Sequence, residues 1–369
     1  MREIILGFVT SFFVVLLATP SLIKVAKLKH LVDEPSEERK HHTASKPTIG
    51  GIIIFAASLF SYALWFPWDN MSYFGSPDQF KESVMEFKFF IAASILIFFI
   101  GVKDDIIGVA PVKKLVSHLI VGFILVMMAD IRISGFHGLF GVEEIPYYAS
   151  VLLSVFTYIV VVNAFNLIDG SDGLAAGVGM ITSVFFGVWF YQTAQLPLSL
   201  LSFILAGSLG AFLVFNFNPA RIFMGDSGAL FIGALTFVLA IKCIETRLDV
   251  LPSMVSGLSA PVYAMAVLAY PLIDTLRVFS IRISNGMSPF APDRKHVHHI
   301  LIDKGYTHAQ TGLVLYFICI VVPIISTFFR SLDPTLSFFC MFVISFLLVN
   351  SVLLFPSRKK PLNLAHSAE

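Results

Sequence analysis

The chain has 369 residues, of which 57% are hydrophobic and only 13% charged, and its mean hydropathy is +0.84. That leaves too little charged surface for a soluble chain of this length, so the composition points to an integral membrane protein, and no nucleic-acid partner is expected. The formal net charge of +1 decides little, because where the charges fall matters more than their sum.

Apolar runs long enough to cross a bilayer fall at 3–23, 49–67, 87–102, 115–131, 146–162, 178–192, 198–215, 228–243, 258–279, 312–329 and 335–355. The fold class expected is therefore all-α, a polytopic membrane helix bundle of about eleven spans. Arg2 precedes the first run as in a signal peptide, but no small-residue cleavage site follows and many more spans come later, so it reads as a first membrane helix. The three cysteines, Cys243, Cys319 and Cys340, lie in or beside apolar stretches without ligand spacing, and no disulfide framework is expected. No internal repeat or soluble insertion interrupts the series. A single multi-pass domain over 1–357 with a tail at 358–369 is the organisation expected.

Lys and Arg set the orientation. With the N-terminus outside, 18 of the 25 basic residues fall in inside segments. The segments 24–47, 103–114, 163–177, 216–227 and 280–311 then all face the cytoplasm. These segments also hold the unusual residues, whereas 68–86 and 132–146 carry ordinary polar filler.

The third run ends in GVKDDIIG. Adjacent carboxylates such as Asp104 and Asp105 repel unless a cation or a shared proton relieves them, which suits a divalent metal or a general base. A solvated helix end is the plain alternative, since charges at span termini cost little. Lys113 and Lys114 begin the next run, where they can meet phosphate or simply anchor the inner face.

The fifth run leads into NAFNLIDGSDGLAAG, residues 163–177. Asn163, Asn166, Asp169 and Asp172 recur every third residue, and glycines let backbone approach a ligand closely. Carboxylate and carboxamide oxygens are hard ligands of the kind Mg²⁺ accepts, with substrate phosphate completing the shell. An EF-hand does not fit, because Leu174 stands where that loop requires glycine. A polar turn needs neither this length nor this many oxygens.

NFNPARIFMGDSGAL follows the seventh run. Asp226, between Gly225 and Gly228 at a helix start, can hold a metal beside amides that favour phosphate. Phe223 can stack on a planar base or serve only in packing. Asp274 and Arg277 stand three apart on one helix face, either neutralising each other or meeting substrate. APDRKHVHHIL supplies Asp293, Arg294, His296, His298 and His299. A zinc site would need a fourth ligand and suitable spacing, and Arg and His read better as donors to diphosphate oxygens. Hard oxygen ligands, phosphate-binding cations and a lipid surround on one side together describe phosphoryl transfer onto a lipid.

At this point the chain resembles the polyprenyl-phosphate N-acetylhexosamine-1-phosphate transferases. The matching stretches are DEPSEERKHH with KPTIGG, the DD pair with KKLVSH, NAFNLIDGSDGLAAG, NPARIFMGDSGAL and SPFAPDRKHVHHIL. The last of these resembles the branch that uses UDP-N-acetylglucosamine. The resemblance implies that undecaprenyl phosphate attacks the sugar-bound phosphorus of a UDP-N-acetylhexosamine and that UMP leaves.

By motif position, Asn166 and Asp226 would hold Mg²⁺, with Mn²⁺ as a substitute. Asp104 would be base or positioning group beside Asp105, Lys114 would meet the lipid phosphate, and Asp169 and Asp172 would shape the metal and nucleotide site. Phe223 would stack on uracil. Asp33, Asp274, Arg282, Arg294, His296, His298 and His299 complete the substrate-binding set. The position four after Lys114, often Gln in the family, is His118 here. A homodimer in the cell membrane, with the active site and C-terminus cytoplasmic, is the assembly considered. The rival readings are transfer of phospho-MurNAc-pentapeptide, a membrane transporter and a non-catalytic scaffold. A transporter would be marked by ionisable residues near mid-membrane, for which Asp274 comes nearest.

Overall fold

A computed structural model describes residues 1–29, 46–68, 76–246, 255–288 and 294–358, together with the backbone of 32–33. The side chain of Asp33, and Asp293, His41 and His42, lie outside the described residues. The helices are α1 (Arg2–Leu28), α2 (Gly50–Trp65), α3 (Pro77–Ile107), α4 (Pro111–Phe123), α5 (Tyr147–Ile168), α6 (Leu174–Gln192) and α7 (Leu196–Asn216). They continue with α8 (Gly225–Ile244), α9 (Ala260–Val267), α10 (Ala269–Ser284), α11 (Val297–Asp303), α12 (His308–Ser326) and α13 (Pro334–Ser351). Two short strands, β1 (Val32–Asp33) and β2 (Lys46–Pro47), pair antiparallel.

The all-α membrane bundle expected from the apolar runs is the fold found. Among the described residues nine helices are long and apolar enough to cross a membrane, and α9 with α10, bent by 72°, makes a tenth. The eleventh run is α2, whose 16 residues span only about 24 Å, short of a ~30 Å hydrocarbon core. All eleven runs are thus helical, and the differences lie in length. α3 starts at Pro77, well before the expected 87, and α10 runs on to Ser284, past the expected 279. Mixed polar and apolar turns extend both helices beyond the greasy core that marked them in the sequence. The three cysteines are free.

The centre of the bundle is α8, with α2, α3, α5, α6 and α9 packed around it. Its sequence GDSGALFIGALTFVLAIKCI is apolar all round, as a helix must be when every face meets another helix. At its first turn the close approach of α2 depends on small residues: a Cβ on Gly51 would lie 2.1 Å from the backbone nitrogen of Gly228. On the periphery, α1 joins α7 through Ser11 Oγ, which donates to the Ile204 carbonyl at 2.8 Å. Ser58 and Ser208 join α2 to α7 at 3.1 Å.

The far end of α8 is tied to the loop 130–146. Glu245 accepts from the Ser134 backbone N–H at 2.8 Å and from the Ser134 hydroxyl at 2.5 Å, with His137 Nε2 at 3.5 Å. The Glu245 contact, with Glu143 also nearby, raises the His137 pKa above its ordinary value. Burial alone would raise Glu245, but the donors from His137 and Ser134 hold it below its ordinary value.

Two predictions follow from this packing. Gly51→Val must separate α2 from α8, an overpacking cost of about 1–3 kcal/mol, and should lower the melting temperature of the detergent-solubilised protein by at least about 3 °C, with Gly51→Ala intermediate. At the far end, the His137 contribution is complete below pH 6.5, its ordinary value, and is lost as pH rises through its higher folded value. The Glu245 contribution is complete above pH 4.5 and is lost as pH falls through its lower folded value. Hydrogen-exchange protection of the Ser134 amide, corrected for intrinsic rate, should therefore be greatest between those values, and His137→Phe should remove the loss on the alkaline side.

Candidate active site

Helix ends converge at the α8 N-terminus. Gly225 precedes Asp226 with φ +72, and a Cβ there would sit 2.0 Å from the Thr48 carbonyl, so this tight entry requires glycine. The first amides of α8 are capped from another helix. Asp105 of α3 accepts the Asp226 N–H at 2.6 Å and the Ser227 N–H at 3.0 Å, a charge-assisted cap that also suits the helix dipole.

With its backbone held in this way, the Asp226 carboxylate meets Lys114 from the first turn of α4 and Asn166 from the last turn of α5, whose Nδ2 donates at 2.9 Å. Lys114 also donates to Asp104 Oδ2 at 2.8 Å, and the other Asp104 oxygen accepts the Val109 N–H at 2.7 Å.

As neighbours in sequence, Asp104 and Asp105 are expected to repel unless a cation or a shared proton relieves them. The structure separates them instead. Consecutive helical residues point about 100° apart, and each carboxylate has its own donors: Lys114 and Val109 for one, the α8 amides for the other.

Asp169, the cap residue ending α5, is half-buried and receives the Gly225 N–H. Withdrawal from water, then the neighbouring Asp226 and Asp105 carboxylates, pushes its pKa well above the ordinary range. Asp104 and Asp226 share the ammonium of Lys114, and Asp105 and Asp169 stand close enough to Asp226 to repel it, an excess of negative charge that favours a cation. Among the described residues no three His, Cys, Asp or Glu side chains are arranged to hold an ion by themselves. The donor set nevertheless fits Mg²⁺, which is commonly bound by one or two carboxylates while water and substrate phosphates supply the rest. Asp226 offers such a carboxylate, and the adjacent Asn166 amide can present its oxygen as readily as its NH₂.

Asp172, at the other end of the same loop, is buried and does different work. Its Oδ2 accepts from Asn218 Nδ2 and from the Ala220 N–H, both at 3.0 Å, with Lys46 Nζ at 3.8 Å. It thereby fixes the segment leading to Phe223. Lys46 lies 4.9 Å from the centre of the Phe223 ring, and the Phe223 N–H donates to the Pro47 carbonyl at 2.7 Å. His308, at the start of α12, takes the Asp172 N–H on Nδ1 at 3.3 Å and lies 2.9 Å from the Ser171 hydroxyl.

A third group surrounds Asp274, which is fully buried in α10. It accepts from Arg277 at 3.1 Å and from the Val297 N–H at 3.0 Å, and pairs with His296 Nδ1 at 2.9 Å. Asp274, the acid nearest to suggesting a transport pathway, is thus a hydrogen-bonded anchor for the 295–297 segment.

His298 is fully buried, and a Cβ on Gly170 would lie 2.7 Å from its Nε2. Burial, then the adjacent His299, pushes the His298 pKa well below its ordinary value, so the ring is neutral near pH 7. The His298 and His299 rings are 4.2 Å apart. The remaining two candidates are engaged locally: Arg294 pairs with Asp303 at 2.8 Å, and Arg282 lies over the Phe279 ring at 5.8 Å.

Asn166, Asp169, Asp226, Asp104, Asp105 and Lys114 therefore form one cluster. Asp172 and Phe223 form a second, and Asp274, His296, His298 and His299 a third. All three meet along residues 166–173. Sequence reasoning gave no role to Lys46, Asn218 or His308. Lys46 opens the KPTIGG stretch and Asn218 lies in NFNPAR, but nothing local in either marks it as a partner for Asp172. The position of His308 in a capping-box turn (Thr307 and Gln310) reads only as a helix start.

Residues 87–244 match glycosyl transferase family 4. That segment contains the whole of the first cluster along with Asp172 and Phe223, while the Asp274 and histidine group lies beyond it. Among curated proteins, the chain is 25% identical to an undecaprenyl-phosphate alpha-N-acetylglucosaminyl 1-phosphate transferase from Yersinia pestis, over 94% of this chain and 89% of that protein. It is 29% identical to a probable undecaprenyl-phosphate N-acetylglucosaminyl 1-phosphate transferase from Bacillus subtilis, over 93% and 90%. A relative from Escherichia coli K12, with the same name as the Yersinia protein, is 26% identical over 79% and 74%. With its motifs gathered at one end of an all-α membrane bundle, the chain matches glycosyl transferase family 4 over residues 87–244 and is similar to these transferases along most of its length.

Proposed function

We propose that the chain transfers GlcNAc-1-phosphate from UDP-GlcNAc to undecaprenyl phosphate, with Mg²⁺ and release of UMP, at the cytoplasmic face of the cell membrane. The observation that carries this reading is the meeting of Asp104, Lys114, Asn166 and Asp226, from four separate helices, at one end of an apolar bundle. The names of the relatives supply the acceptor and the sugar, and the crowd of basic residues in the connecting segments supports the orientation.

Asp226 and Asn166 would hold Mg²⁺, which when bound neutralises phosphate oxygens and so favours phosphoryl transfer. Lys114 receives the lipid phosphate, and Asp104 holds the lysine in place for it. A phosphate monoester has its second pKa near 6 and is already ionised at pH 7, so Asp104 serves better for positioning than as an obligatory base. An oxygen of that phosphate attacks the sugar-bound phosphorus in line, the bond to the bridging oxygen breaks, and the electron pair leaves with UMP. Asp105 acts through α8, by fixing the backbone from which Asp226 projects. Asp172 and Lys46 set the Phe223 ring against uracil. His298, neutral at pH 7, and His299 face the diphosphate and sugar from the loop side.

The test is a purified enzyme assayed with undecaprenyl phosphate, scoring both UMP and lipid-linked product. Chelation with EDTA should abolish turnover, and Mg²⁺ or Mn²⁺ should restore it. Asp226→Asn and Lys114→Met should each lower kcat on the order of 10²–10³-fold, whereas UMP release by Asp226→Asn at the normal rate would refute the assignment. Among donors, UDP-GlcNAc should be turned over and UDP-MurNAc-pentapeptide should not. The reverse preference would move the chain to peptidoglycan-precursor transfer.

A further inference from the structure

The helix that carries His298 and His299 is short: α11 has seven residues, too few to hold its shape without outside support. Its start is fastened by Asp274, which takes the Val297 N–H and pairs with His296. Its other end is fastened by the last described residues of the chain. Lys304 Nζ donates to the Leu353 carbonyl and, at 2.8 Å, to the Phe355 carbonyl. These carbonyls lie where the final turn after α13 has run out of intrahelical partners. In return, the Arg358 N–H donates to the Lys304 carbonyl at 2.7 Å, and the Tyr306 hydroxyl donates to the Pro356 carbonyl at 3.3 Å. The Arg358 guanidinium lies 4.2 Å over the Tyr306 ring, and the Phe355 ring is 6.0 Å from it.

Between the two fasteners, Val297, His298 and Leu301 are fully buried, with His298 against Gly170. A shift of α11 would therefore move His298 directly against the loop that carries Asp169.

We propose that residues 353–358, gripping Lys304 and Tyr306, are a strap that positions the histidine-bearing helix, and that Lys304 and Arg358 are positioning residues for the transfer reaction. The kinetic consequence rests on the function proposed above, while the placement of α11 does not. A displacement of about 1 Å is enough to cost up to a hundredfold in a site that works by alignment. The strap also explains why the chain makes close contacts up to Arg358, a position the sequence assigns to a tail.

The test compares full-length enzyme with truncation after Phe355, Lys304→Met and Lys304→Arg. Hydrogen exchange of the amides in 297–303 should speed up about tenfold or more in the truncated and Met forms, while protection of α5 and α8 stays unchanged. With UDP-GlcNAc and undecaprenyl phosphate, kcat should fall roughly ten- to a hundredfold. The KM for the lipid should hold within about twofold, and the melting temperature within about 2 °C. Lys304→Arg, which keeps a donor for the carbonyls, should recover most of both losses. Unchanged exchange in 297–303 would overturn the strap, as would faster exchange spread equally through α5 and α8. Exchange that responds as described in an enzyme with no transferase activity would uphold the strap and reject the proposed function instead.

Discussion

Asp105 accepts two amide hydrogens from a helix other than its own, and the geometry of the site follows from that one contact. α8 is the most enclosed helix of the bundle, and its opening amides have no partners within the helix. In an interior poor in water each would cost about 1–3 kcal/mol if left unpaired. A carboxylate from α3 satisfies both and is in turn relieved of the cost of burial without a partner. Because the cap joins α3 to α8, it fixes the distance between Asp104, one residue before the cap, and Asp226, the first residue it caps. Lys114 can then bridge those two acids only if α4 leaves α3 at the observed turn, where the Val109 N–H returns to Asp104.

The loop from Asn166 to Gly173 is the second constraint, and it works by contact on every side. Asn166 faces α8, Asp169 takes the Gly225 N–H, Gly170 lets His298 approach, and Asp172 gathers Lys46, Asn218 and Ala220. Behind it, the Tyr316 hydroxyl of α12 donates to the Gly173 carbonyl at 2.5 Å. So short a run can serve this many partners because glycines allow neighbours within reach of its backbone while its polar side chains point in successive directions. Moving any one of the attached elements alters the others through this loop.

Much of this was legible in the sequence, for identifiable reasons. Long apolar runs can only be helices in a bilayer, so the all-α bundle and most of its spans could be read directly. The distribution of Lys and Arg put the loaded segments on one side, and the structure does bring the ends of α3, α5 and α7 together with the starts of α4, α6, α8 and α12. What could not be read was which acid faces which partner. Asp104 and Asp105 look equivalent as neighbours in sequence, yet helical geometry sends one toward Lys114 and the other to cap α8. Asp274 reads in sequence as a partner that neutralises Arg277 or as a substrate contact; the ion pair with Arg277 is there, and its added anchoring of Val297 could not be read because that segment follows a path no periodicity predicts. His308 was missed because its partners, Ser171 and Asp172, lie far off in sequence and no local pattern links them.

The two ends of α8 show why only one of them reads as a reaction centre. At the far end Glu245 is met by Ser134 and His137 from a single loop, and Lys242 pairs with Glu86. Each of these acids has its counterpart beside it, and little charge is left over. At the near end four carboxylates from two helix ends and the start of α8 gather, only two of them reach Lys114, and Asp169 responds by holding its proton more tightly. An arrangement whose only purpose was stability would not concentrate four acids around the mouth of so buried a helix, since apolar packing of the same volume is commonly as stable or more so. The surplus makes physical sense if the site is balanced by charges that arrive with the reactants: a cation for the acids, and phosphates for the lysine and the dipole of α8. On that view the ion pairs of Lys114 belong to a resting arrangement, and the driving force for binding comes from exchanging them for partners that satisfy the whole cluster at once.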